Sequence, residues 1–399
     1  MGLRPGTRVG QRAEWLTPRL VLLCEPSMET LLGMLGASSS NYLHPFSLAG
    51  AQAEHRQFRG ALQSIGTKVL DLREALATNS EEDPQARGRL EQWARASTSY
   101  DFGDALVEND RAEAEAHFTR TIEKLDALDL ADLILLRPTV RIQRRIERGE
   151  ASLASRYELA PLSNAHYMRD PLTTTPAGCI IGRLSLEVRS QETEVAAFAL
   201  EQLGVTPIYH IKAPGTLEGG DFIPCDTFVL QGQGVLSNAE GVAQCLEARA
   251  YGFVEVAVVH DPHAIRDEMH LDSYFTVFDA DLCALCEDRF EADAPRVDVY
   301  LPEGTEADFT YRLARNVPLP DYLEGHGMRV LRFSRSDLEH FAPNGLLLGR
   351  KIYLGVSDRH SDWETRLMAC GVSTHMIDFG HLGGGYGGPH CQSQVLVRA

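Results

Sequence analysis

The arrangement of apolar and polar positions predicts short strands that alternate with amphipathic helices along most of the chain. "RLVLLCEP", beginning at Arg19, and "TKVLDL" are apolar runs of strand length, and "LAGAQAEHRQFRGALQSIG" between them has the spacing of an amphipathic helix. From Pro161 onwards the order strand, strand, helix, strand recurs, for example in "GCIIGRLSLEV", "ETEVAAFALEQLG" and "PIYHI". A period of roughly 40 to 60 residues predicts repeated α/β units that bury their core against one another.

Two segments break this pattern. Residues 79–152, which include "DPQARGRLEQWARA" and "RPTVRIQRRIERGE", carry helical spacing and charge with almost no strand pattern. They predict a helical insertion that divides an α/β domain into residues 17–78 and 153–399. Residues 1–16 contain glycine, arginine and proline without any period, so a disordered tail is expected there.

Charge and cysteine usage narrow the class of protein. With 38 basic and 56 acidic residues among 399, the chain has a formal net charge of −18, which repels nucleic acid and anionic membranes and favours cationic small molecules. No apolar run approaches the roughly 18 residues of a membrane span, and the first residues contain no apolar secretion signal. Eight scattered cysteines indicate reduced thiols, so a cytoplasmic protein without nucleic-acid or membrane partners is expected.

The candidate chemistry begins with the glycine-rich segment "GGGYGGPHCQSQ", residues 383–394. It satisfies the spacing of a dinucleotide-binding loop, but neither the helix nor the acidic residue that such a loop requires follows it. A flexible tail is disfavoured because the next residues, "QVLV", alternate like a buried strand. We therefore expect a loop that delivers the thiol of Cys391 to a pocket, since glycine allows the chain to approach a ligand closely.

Three other segments place acidic residues or histidine at turns beside glycine or proline: "NAHYMRDP", "TLEGGDF" and "EMHLDSYF". Alone, each such residue is commonly a turn former, a loop acid or a surface histidine. Together with Cys391 they supply a thiol, an imidazole and several carboxylates. The residues concerned are Asn164, Arg169, Asp170, Glu218, Asp221, His270 and Asp272.

This combination suits the cleavage of a carbon–nitrogen bond in a guanidino group. A guanidinium ion keeps its positive charge, and paired carboxylates bind it through bidentate hydrogen bonds. The bound cation and a nearby imidazolium favour thiolate over thiol, and the imidazole can protonate the departing nitrogen and then activate water. This chemistry requires neither a metal nor an organic cofactor, and none is predicted. The pair Cys283 and Cys286 is expected to be buried and apolar in character.

In the order given, "NAHYMRDP", "EGGD", "MHLD" and "GGGYGGPHCQS" resemble the signature segments of the arginine deiminase family and of the wider guanidino-modifying superfamily. The resemblance extends over nearly all of residues 17–399. It implies an α/β fold, a five-bladed propeller of ββαβ modules around a central pocket, with an inserted α-helical subdomain. It also implies a small-molecule guanidino substrate and a homodimer or larger homo-oligomer.

The resemblance implies a role for each catalytic residue. Cys391 would be the nucleophile that forms a covalent amidino–cysteine intermediate, and His270 would be the general acid and base. Glu218 would be the carboxylate partner of that histidine. Asp170 and Asp272 would grip the nitrogens of the guanidinium group.

At the other end of the substrate the chain departs from the family pattern. The resemblance implies that Asn164 lies near the amino-acid end and that Arg189 contacts the carboxylate. Two further arginines typical of the family are absent, since none occurs between Arg189 and Arg249 or in the glycine loop before Cys391. The predicted function is hydrolysis of L-arginine to L-citrulline and ammonia. An amidinotransferase, a dihydrolase, a deiminase of another guanidino compound, a non-catalytic guanidine-binding relative and a Cys–His peptidase stay open as alternatives.

Overall fold

Short β-strands and α-helices alternate along the chain in the computed structural model. The structure describes residues 9–36, 42–102, 107–147, 150–263, 265, 268–291, 293–305, 308–358 and 361–399. The α-helices within these residues are α1 Met28–Leu35, α2 Leu48–Ser64, α3 Leu72–Leu76, α4 Pro84–Ser97, α5 Glu108–Lys124, α6 Ala127–Leu136, α7 Glu192–Gln202, α8 Ala239–Glu247, α9 Leu271–Tyr274, α10 Leu319–Gly325, α11 Arg335–Glu339 and α12 Trp363–Ala369. The strands are β1 Pro18–Leu23, β2 Lys68–Asp71, β3 Ser99–Asp101, β4 Pro138–Glu147, β5 Glu150–Leu159, β6 Leu172–Thr175, β7 Gly178–Ile181, β8 Tyr209–His210, β9 Phe222–Cys225, β10 Phe228–Gln233, β11 Glu255–His260, β12 Phe275–Asp279, β13 Leu282–Cys286, β14 Arg296–Gly304, β15 Phe309–Pro318, β16 Arg329–Phe333, β17 Leu346–Gly349, β18 Ile352–Val356, β19 Ser373–Ile377 and β20 Gln394–Arg398.

Five groups of three strands share one topology, in which a central strand pairs antiparallel with one neighbour and parallel with the other. In the described part of the chain these groups are β20–β1–β2, β6–β7–β8, β9–β10–β11, β12–β13–β16 and β17–β18–β19. Parallel neighbours require a crossover connection, and α2, α7, α8, α10 and α12 lie in the five crossovers in turn. The predicted recurrence of strand, strand, helix and strand is therefore confirmed, and one group joins the last strand of the chain to the first.

The apolar core is shared between neighbouring units. One buried cluster combines Leu230 of β10, Val277 of β12, Leu285 of β13 and Tyr353 of β18, each at most 1% exposed. These side chains come from three successive units, so the units bury their apolar faces against one another, as the repeat pattern predicts. None of the helices within the described ranges is both long and apolar enough to cross a membrane.

Two long hairpins extend beyond these units, and one of them corrects the sequence prediction. β4 and β5 pair antiparallel from Pro138 opposite Leu159 to Glu147 opposite Glu150, and β3 pairs with β4. The prediction of helix across residues 79–152 is therefore wrong at β3 and from residue 138 onwards. Helices α4, α5 and α6 do precede this hairpin, and the assignment of the whole segment as an insertion stays a prediction. Val140 and Ile142 alternate with polar residues, which is a strand pattern that the surrounding charges obscured. The other hairpin joins β14 and β15.

The segment before β1 also differs from the expectation of a disordered tail over residues 1–16. That expectation is wrong for residues 9–16, and residues 1–8 lie outside the described residues. The backbone N–H of Gly10 donates to Leu396 at 2.8 Å, and its carbonyl accepts from Arg398 at 3.1 Å. Trp15 is 2% exposed and belongs to the same buried cluster as Leu230. Contact with β20, almost the whole chain away in sequence, orders this segment, and local composition carries no sign of such a contact.

A buried ion pair between the two ends of the chain yields a stability prediction. Arg398 is 6% exposed, and its Nη2 lies 2.5 Å from Oε2 of Glu14, which is 3% exposed. Arg398→Ala removes the nearest cation from the buried carboxylate of Glu14 and leaves it with the more distant Nη1 of Arg169 at 3.7 Å, so we expect the free energy of unfolding to fall by about 3–5 kcal/mol. Urea unfolding followed by circular dichroism measures this change.

The matched control is Arg312→Ala, because Arg312 pairs with Glu303 in the open, with side chains 70% and 73% exposed. We expect this substitution to change the free energy of unfolding by no more than about 0.5 kcal/mol. Equal losses for the two variants would contradict the importance of the buried pair.

Candidate active site

Four segments that are distant in sequence bring the predicted catalytic side chains into the interior. Glu218 immediately precedes a turn of 3-10 helix, and His270 immediately precedes α9. Cys391 follows the glycine loop and lies three residues before β20. The exposed fractions are 7% for Cys391, 5% for His270, 4% for Asp170, 1% for Glu218 and 2% for Asp272.

His270 lies between two carboxylates. Its Nε2 is 2.9 Å from Oε2 of Glu218, and its Nδ1 is 3.8 Å from Oδ1 of Asp170. Burial by itself lowers the pKa of the imidazole, but the charge of Asp170 and the hydrogen bond to Glu218 outweigh burial and raise the pKa to about 10. The ring is therefore an imidazolium ion at neutral pH.

The thiol of Cys391 lies beside another carboxylate. Its Sγ is 3.6 Å from Oδ2 of Asp272, and the same oxygen lies 2.6 Å from Nδ1 of His390. Burial raises the pKa of the thiol well above its ordinary value, and the negative charges of Asp272 and Asp170 raise it further. Cys391 is therefore a neutral thiol in this state of the protein.

Asp170 and Asp272 each have one oxygen without a hydrogen-bond partner, as does Asp221, whose Oδ2 is also buried. Asp170 directs Oδ2 to Arg189 at 2.6 Å, and Asp272 directs Oδ2 to His390, whereas the Oδ1 atoms of both aspartates are buried and unpartnered. Burying an acceptor without a donor is unfavourable. The arrangement therefore suits a ligand that brings both N–H donors and positive charge, as a guanidinium ion does.

Arg189 reaches the site but is already paired. Its Nη1 lies 2.6 Å from Asp170, and its Nη2 lies 2.8 Å from Oε2 of Glu192. Burial raises the pKa of Glu192 to about 7, although Arg189 opposes that shift. The predicted contact between Arg189 and a substrate carboxylate would have to break these buried pairs, and it stays a prediction. The sequence interpretation missed Glu192, which the spacing of three residues after Arg189 could have indicated.

Asn164, the other residue predicted for the far end of the substrate, lies on the turn that leads to Asp170. Its side chain is 1% exposed, and its Oδ1 accepts from the hydroxyl of Ser163 at 3.3 Å. Its Nδ2 has no partner. A buried amide with free donors on this turn is compatible with a contact to substrate.

Asn344 holds the nucleophile in place and was missed by the sequence interpretation. Its Oδ1 accepts from the backbone N–H of Gly388 at 2.8 Å and of Cys391 at 3.3 Å, and its Nδ2 donates to the carbonyl of Asp272 at 3.1 Å. One amide thus ties the glycine loop to the turn that carries Asp272. Its sequence context, "APNGLLLG", is that of an ordinary turn before a strand, so no local signal distinguishes it.

Comparison with known proteins fixes the family. The model of the family described as "Arginine deiminase" matches residues 42–398, most of the chain. The chain belongs to the arginine deiminase family. This confirms the resemblance drawn from the four sequence segments.

Individual relatives within the family are distant. The arginine deiminase of Mycobacterium marinum is 24% identical over 414 residues, which cover 98% of both chains. That of Rhodococcus erythropolis is 24% identical over 369 residues, 87% of both chains. That of Borreliella afzelii is 23% identical over 275 residues, and the match spans 61% of this chain but only 63% of that relative, less than two thirds of its length.

Solved structures with the same fold include enzymes named for other guanidino reactions. A dimethylarginine dimethylaminohydrolase from Pseudomonas aeruginosa, complexed with citrulline, has a TM-score of 0.55 at 14% identity, covering 94% of this chain and 98% of that one. The N-terminal domain of ArgZ, an arginine dihydrolase from cyanobacteria, has a TM-score of 0.57 at 11% identity, covering 95% and 97%. At these identities the likeness establishes the shared α/β fold alone.

The glycine-rich segment of this arginine deiminase family member makes room for side chains. A Cβ on Gly387 would lie 2.7 Å from Cβ of Cys391, and one on Gly388 would lie 2.5 Å from the carbonyl of Asn344. In the same way, a Cβ on Gly220 would lie 2.8 Å from the ring of His270. None of these glycines has a positive φ, so close packing around the site explains them.

Asp170, Glu218 and His270 are also close enough to be considered as metal ligands, since their ligand atoms lie within 4.8 Å of one another. A histidine ligand must offer an unprotonated nitrogen. Both ring nitrogens of His270 face carboxylates, so a metal ion bound here would first have to displace a proton from the imidazolium ion. The imidazolium ion supplies the positive charge that a metal ion would bring to these carboxylates.

A cavity of about 980 Å³ borders the cluster of Asp170, Glu218 and His270. Trp93, Arg183 and Glu187 are among its lining residues, and Cys391 is not. Ser185 also lines it, and its backbone N–H donates to Oε1 of Glu218 at 2.9 Å. The cavity therefore reaches the segment that holds Glu218, the partner of His270, and neither Asp170 nor Asp272 is among its lining residues.

The raised pKa of His270 predicts its titration. The pKa of His270 in the folded protein, about 10, exceeds the ordinary value of 6.5. The imidazolium ion therefore contributes fully to the free energy of unfolding below about pH 6.5, and this contribution is lost as the pH rises through about 10. We expect the ring resonances of His270 in NMR spectra to stay constant between about pH 6 and pH 8 and to shift only above that range. His270→Asn assigns the resonances, and a midpoint near 6.5 would contradict the assigned role of the two carboxylates.

The contacts of Asn344 predict that Asn344→Ala displaces the thiol. Loss of two acceptor contacts and one donor contact in the interior should lower the free energy of unfolding by about 1–3 kcal/mol. It should also increase the rate at which iodoacetamide alkylates Cys391, followed by mass spectrometry of the peptide that contains it. Asn316→Ala, which removes an exposed amide on β15, is the control, and equal alkylation of both variants would argue against this positioning role.

Proposed function

We propose that this protein hydrolyses the guanidino group of a small substrate, with conversion of L-arginine to L-citrulline and ammonia as the first candidate reaction. The observation that carries the proposal is the pair of buried, unpartnered oxygens, Oδ1 of Asp170 and Oδ1 of Asp272, at the turns that surround the thiol of Cys391. Membership of the arginine deiminase family supports a hydrolase that acts on such carbon–nitrogen bonds. Relatives at 24% identity that are named arginine deiminases support arginine as the substrate.

Binding of the substrate generates the nucleophile. The guanidinium ion donates hydrogen bonds to Asp170 and Asp272, and its positive charge offsets the two carboxylates that raise the pKa of the Cys391 thiol. The thiol then releases its proton to solvent water as the sulfur attacks the central carbon of the guanidinium group. The nucleophile is therefore formed only when its target is present.

His270 provides the proton for the first leaving group. It begins as an imidazolium ion, donates its proton to one NH₂ group of the tetrahedral adduct, and ammonia departs as that carbon–nitrogen bond breaks. The product of this half-reaction is an amidinium thioether on Cys391, with neutral His270 held by Glu218 at 2.9 Å.

Hydrolysis of the thioether reverses the role of His270. The neutral imidazole accepts a proton from water while the oxygen adds to the amidinium carbon, and the carbon–sulfur bond then breaks. The ureido product leaves after losing one proton, which ammonia accepts in solution. The released thiolate takes up a proton from solvent once the cationic substrate has gone, so the neutral thiol and the imidazolium are restored and the cycle consumes one water molecule.

Arg189 favours a second candidate substrate. It is the arginine predicted to bind the carboxylate of arginine, yet its guanidinium is engaged by Asp170 and Glu192. A guanidino compound without a free carboxylate would leave those buried pairs intact. The second candidate is therefore hydrolysis of such a compound by the same steps.

The propeller arrangement, the insertion, the assembly and the cellular compartment are part of the same proposal. We infer that the five strand groups are the five blades of a propeller, with the site at its centre and a helical insertion at one side. A homodimer or larger assembly follows from the family resemblance. The eight cysteines, all without disulfide partners, support a reducing compartment such as the cytoplasm.

The decisive experiment uses Cys391→Ala and a screen of guanidino compounds. The wild-type protein should form citrulline and ammonia from arginine, or the corresponding urea from another guanidine, and Cys391→Ala should be slower by roughly a thousandfold or more. Acid quenching during turnover should show the mass of the amidino group on the peptide that contains Cys391.

Cys370→Ala is the control, because Cys370 lies at the end of α12 and is partly exposed. It should retain the wild-type rate. An unchanged rate for Cys391→Ala would refute the mechanism, and ornithine in place of citrulline would favour a dihydrolase or an amidinotransferase.

A further inference from the structure

A buried arginine outside the catalytic cluster contacts the chain on both sides of His270. Arg289 lies in the turn of 3-10 helix after β13, and its side chain is fully buried. Its Nη2 contacts the carboxylate of Glu268, two residues before His270, and lies 3.1 Å from Oδ2 of Asp261, the residue after β11. Its guanidinium carbon lies 4.6 Å from the ring centroid of Tyr274 in α9, the helix that His270 immediately precedes. One side chain thus holds the segments before and after His270.

These contacts lie in the interior, where they are strongest. The side chain of Glu268 is fully buried, and that of Asp261 is 9% exposed. Hydrogen bonds between a guanidinium ion and a carboxylate are stronger than neutral ones, and a cation over an aromatic ring adds to them. Burial raises the pKa of Glu268, and the charges of Arg289 and Arg335 oppose that shift. Removing one member of such a buried pair is strongly destabilising, so the cluster holds its members firmly in place.

Two further charged residues complete this cluster at its edge. Nη1 of Arg335, in α11, contacts Glu268 and lies 3.2 Å from Oδ2 of Asp288. Nη1 of Arg289 lies 3.0 Å from Oδ1 of Asp288, although neither this nitrogen nor Nε makes a hydrogen bond of standard geometry. The side chain of Arg335 is 42% exposed, and solvent weakens ion pairs at such positions. Arg289 is therefore the principal cation that fixes Glu268.

The charge and the catalytic use of His270 depend on where its ring lies. The ring is 2.9 Å from one carboxylate and 3.8 Å from another, and both belong to other segments of the chain. The backbone N–H of Leu271 donates to Oδ1 of Asp221 at 2.9 Å and fixes the residue after His270. Glu268 fixes the segment before it. A displacement of about 1 Å at a catalytic group can reduce the rate about a hundredfold.

We infer that Arg289 is a positioning residue that holds the ring of His270 between its two carboxylate partners. It acts through Glu268 on one side and Tyr274 on the other, and it touches neither substrate nor the reacting atoms. This inference rests on the proposed role of His270 as acid and base in guanidine hydrolysis. The placement of the ring can nevertheless be measured without turnover.

The test compares the wild type with Arg289→Met and Arg289→Lys by NMR titration of the His270 ring, assigned with His270→Asn. The wild-type midpoint should lie at about 10. Arg289→Met should lower it by at least about one pH unit, because the ring moves away from its carboxylates. Loss of a nearby positive charge would by itself raise the pKa of an imidazole, so a fall reports displacement of the ring. Arg289→Lys keeps the charge and should give an intermediate midpoint.

Steady-state kinetics give a second measurement. Arg289→Met should lower kcat for the guanidino substrate about tenfold or more, because the proton donor is displaced. KM should change by less than about threefold, because Asp170 and Asp272 stay in place to bind the guanidinium group. Glu268→Gln breaks the same link from the other side and should lower kcat similarly, which keeps the inference testable where Arg289→Met does not fold.

Arg73→Met is the matched control. Nη2 of Arg73 lies 2.7 Å from Oε2 of Glu29, whose side chain is 1% exposed, and this pair joins α3 to α1, which carry no catalytic residue. The control should lower the free energy of unfolding as Arg289→Met does, with the midpoint of His270 and kcat unchanged.

The outcomes separate the positioning role from the proposed function. An unchanged midpoint and kcat in folded Arg289→Met, or an unchanged kcat in Glu268→Gln, would overturn the role of Arg289 and leave guanidine hydrolysis intact. An equal fall of the midpoint in Arg73→Met would also overturn it, since general loosening of the fold would then explain the effect. Absence of turnover and of a Cys391 adduct in the wild type would overturn the hydrolase, and the NMR comparison would still decide what holds His270.

Discussion

Confinement of negative charge in a dry interior is the constraint on which the whole site depends. Asp170, Glu218 and Asp272 are each at most 4% exposed, and charges removed from water are costly unless they are paired. The protein supplies two cations of its own, the imidazolium of His270 and the guanidinium of Arg189, and leaves one oxygen on each aspartate without a donor. A guanidinium substrate completes the set, so substrate recognition and charge compensation are a single event.

Much of the fold, and the cluster of catalytic carboxylates and histidine, could be predicted because hydrophobic periodicity and turn residues are visible in short stretches of sequence. Strands β1 and β2 and helix α2 follow from apolar runs and helical spacing, and the crossover topology follows from their order. His270 and Asp272 stand at a turn between a loop and a strand, and Glu218 stands before two glycines. Singly such residues are common at turns, but the four segments together and in order resemble a family, and that resemblance assigned their roles.

What could not be predicted depends on contacts between distant segments. Asn344 resembles any turn asparagine until Gly388 and Cys391 are folded against it. The order of residues 9–16 arises from β20, at the opposite end of the chain. The pairing of Arg189 depends on how a buried helix terminus meets Asp170, and the resemblance implied only a contact with the substrate carboxylate. The hairpin of β4 and β5 was hidden because arginines occupy its outward positions.

The high pKa of the Cys391 thiol has a consequence for selectivity. Thiolate is the form that reacts with oxidants and with stray electrophiles, and burial together with Asp272 and Asp170 suppresses it in the free protein. A cation between the two aspartates removes the electrostatic part of that suppression. Neutral molecules that reach Cys391 therefore meet an unreactive thiol, and even a cation must fit both unpartnered oxygens to activate it. Chemical specificity for guanidines thus arises from the same carboxylates that bind them, before any contact at the far end of the substrate discriminates among them.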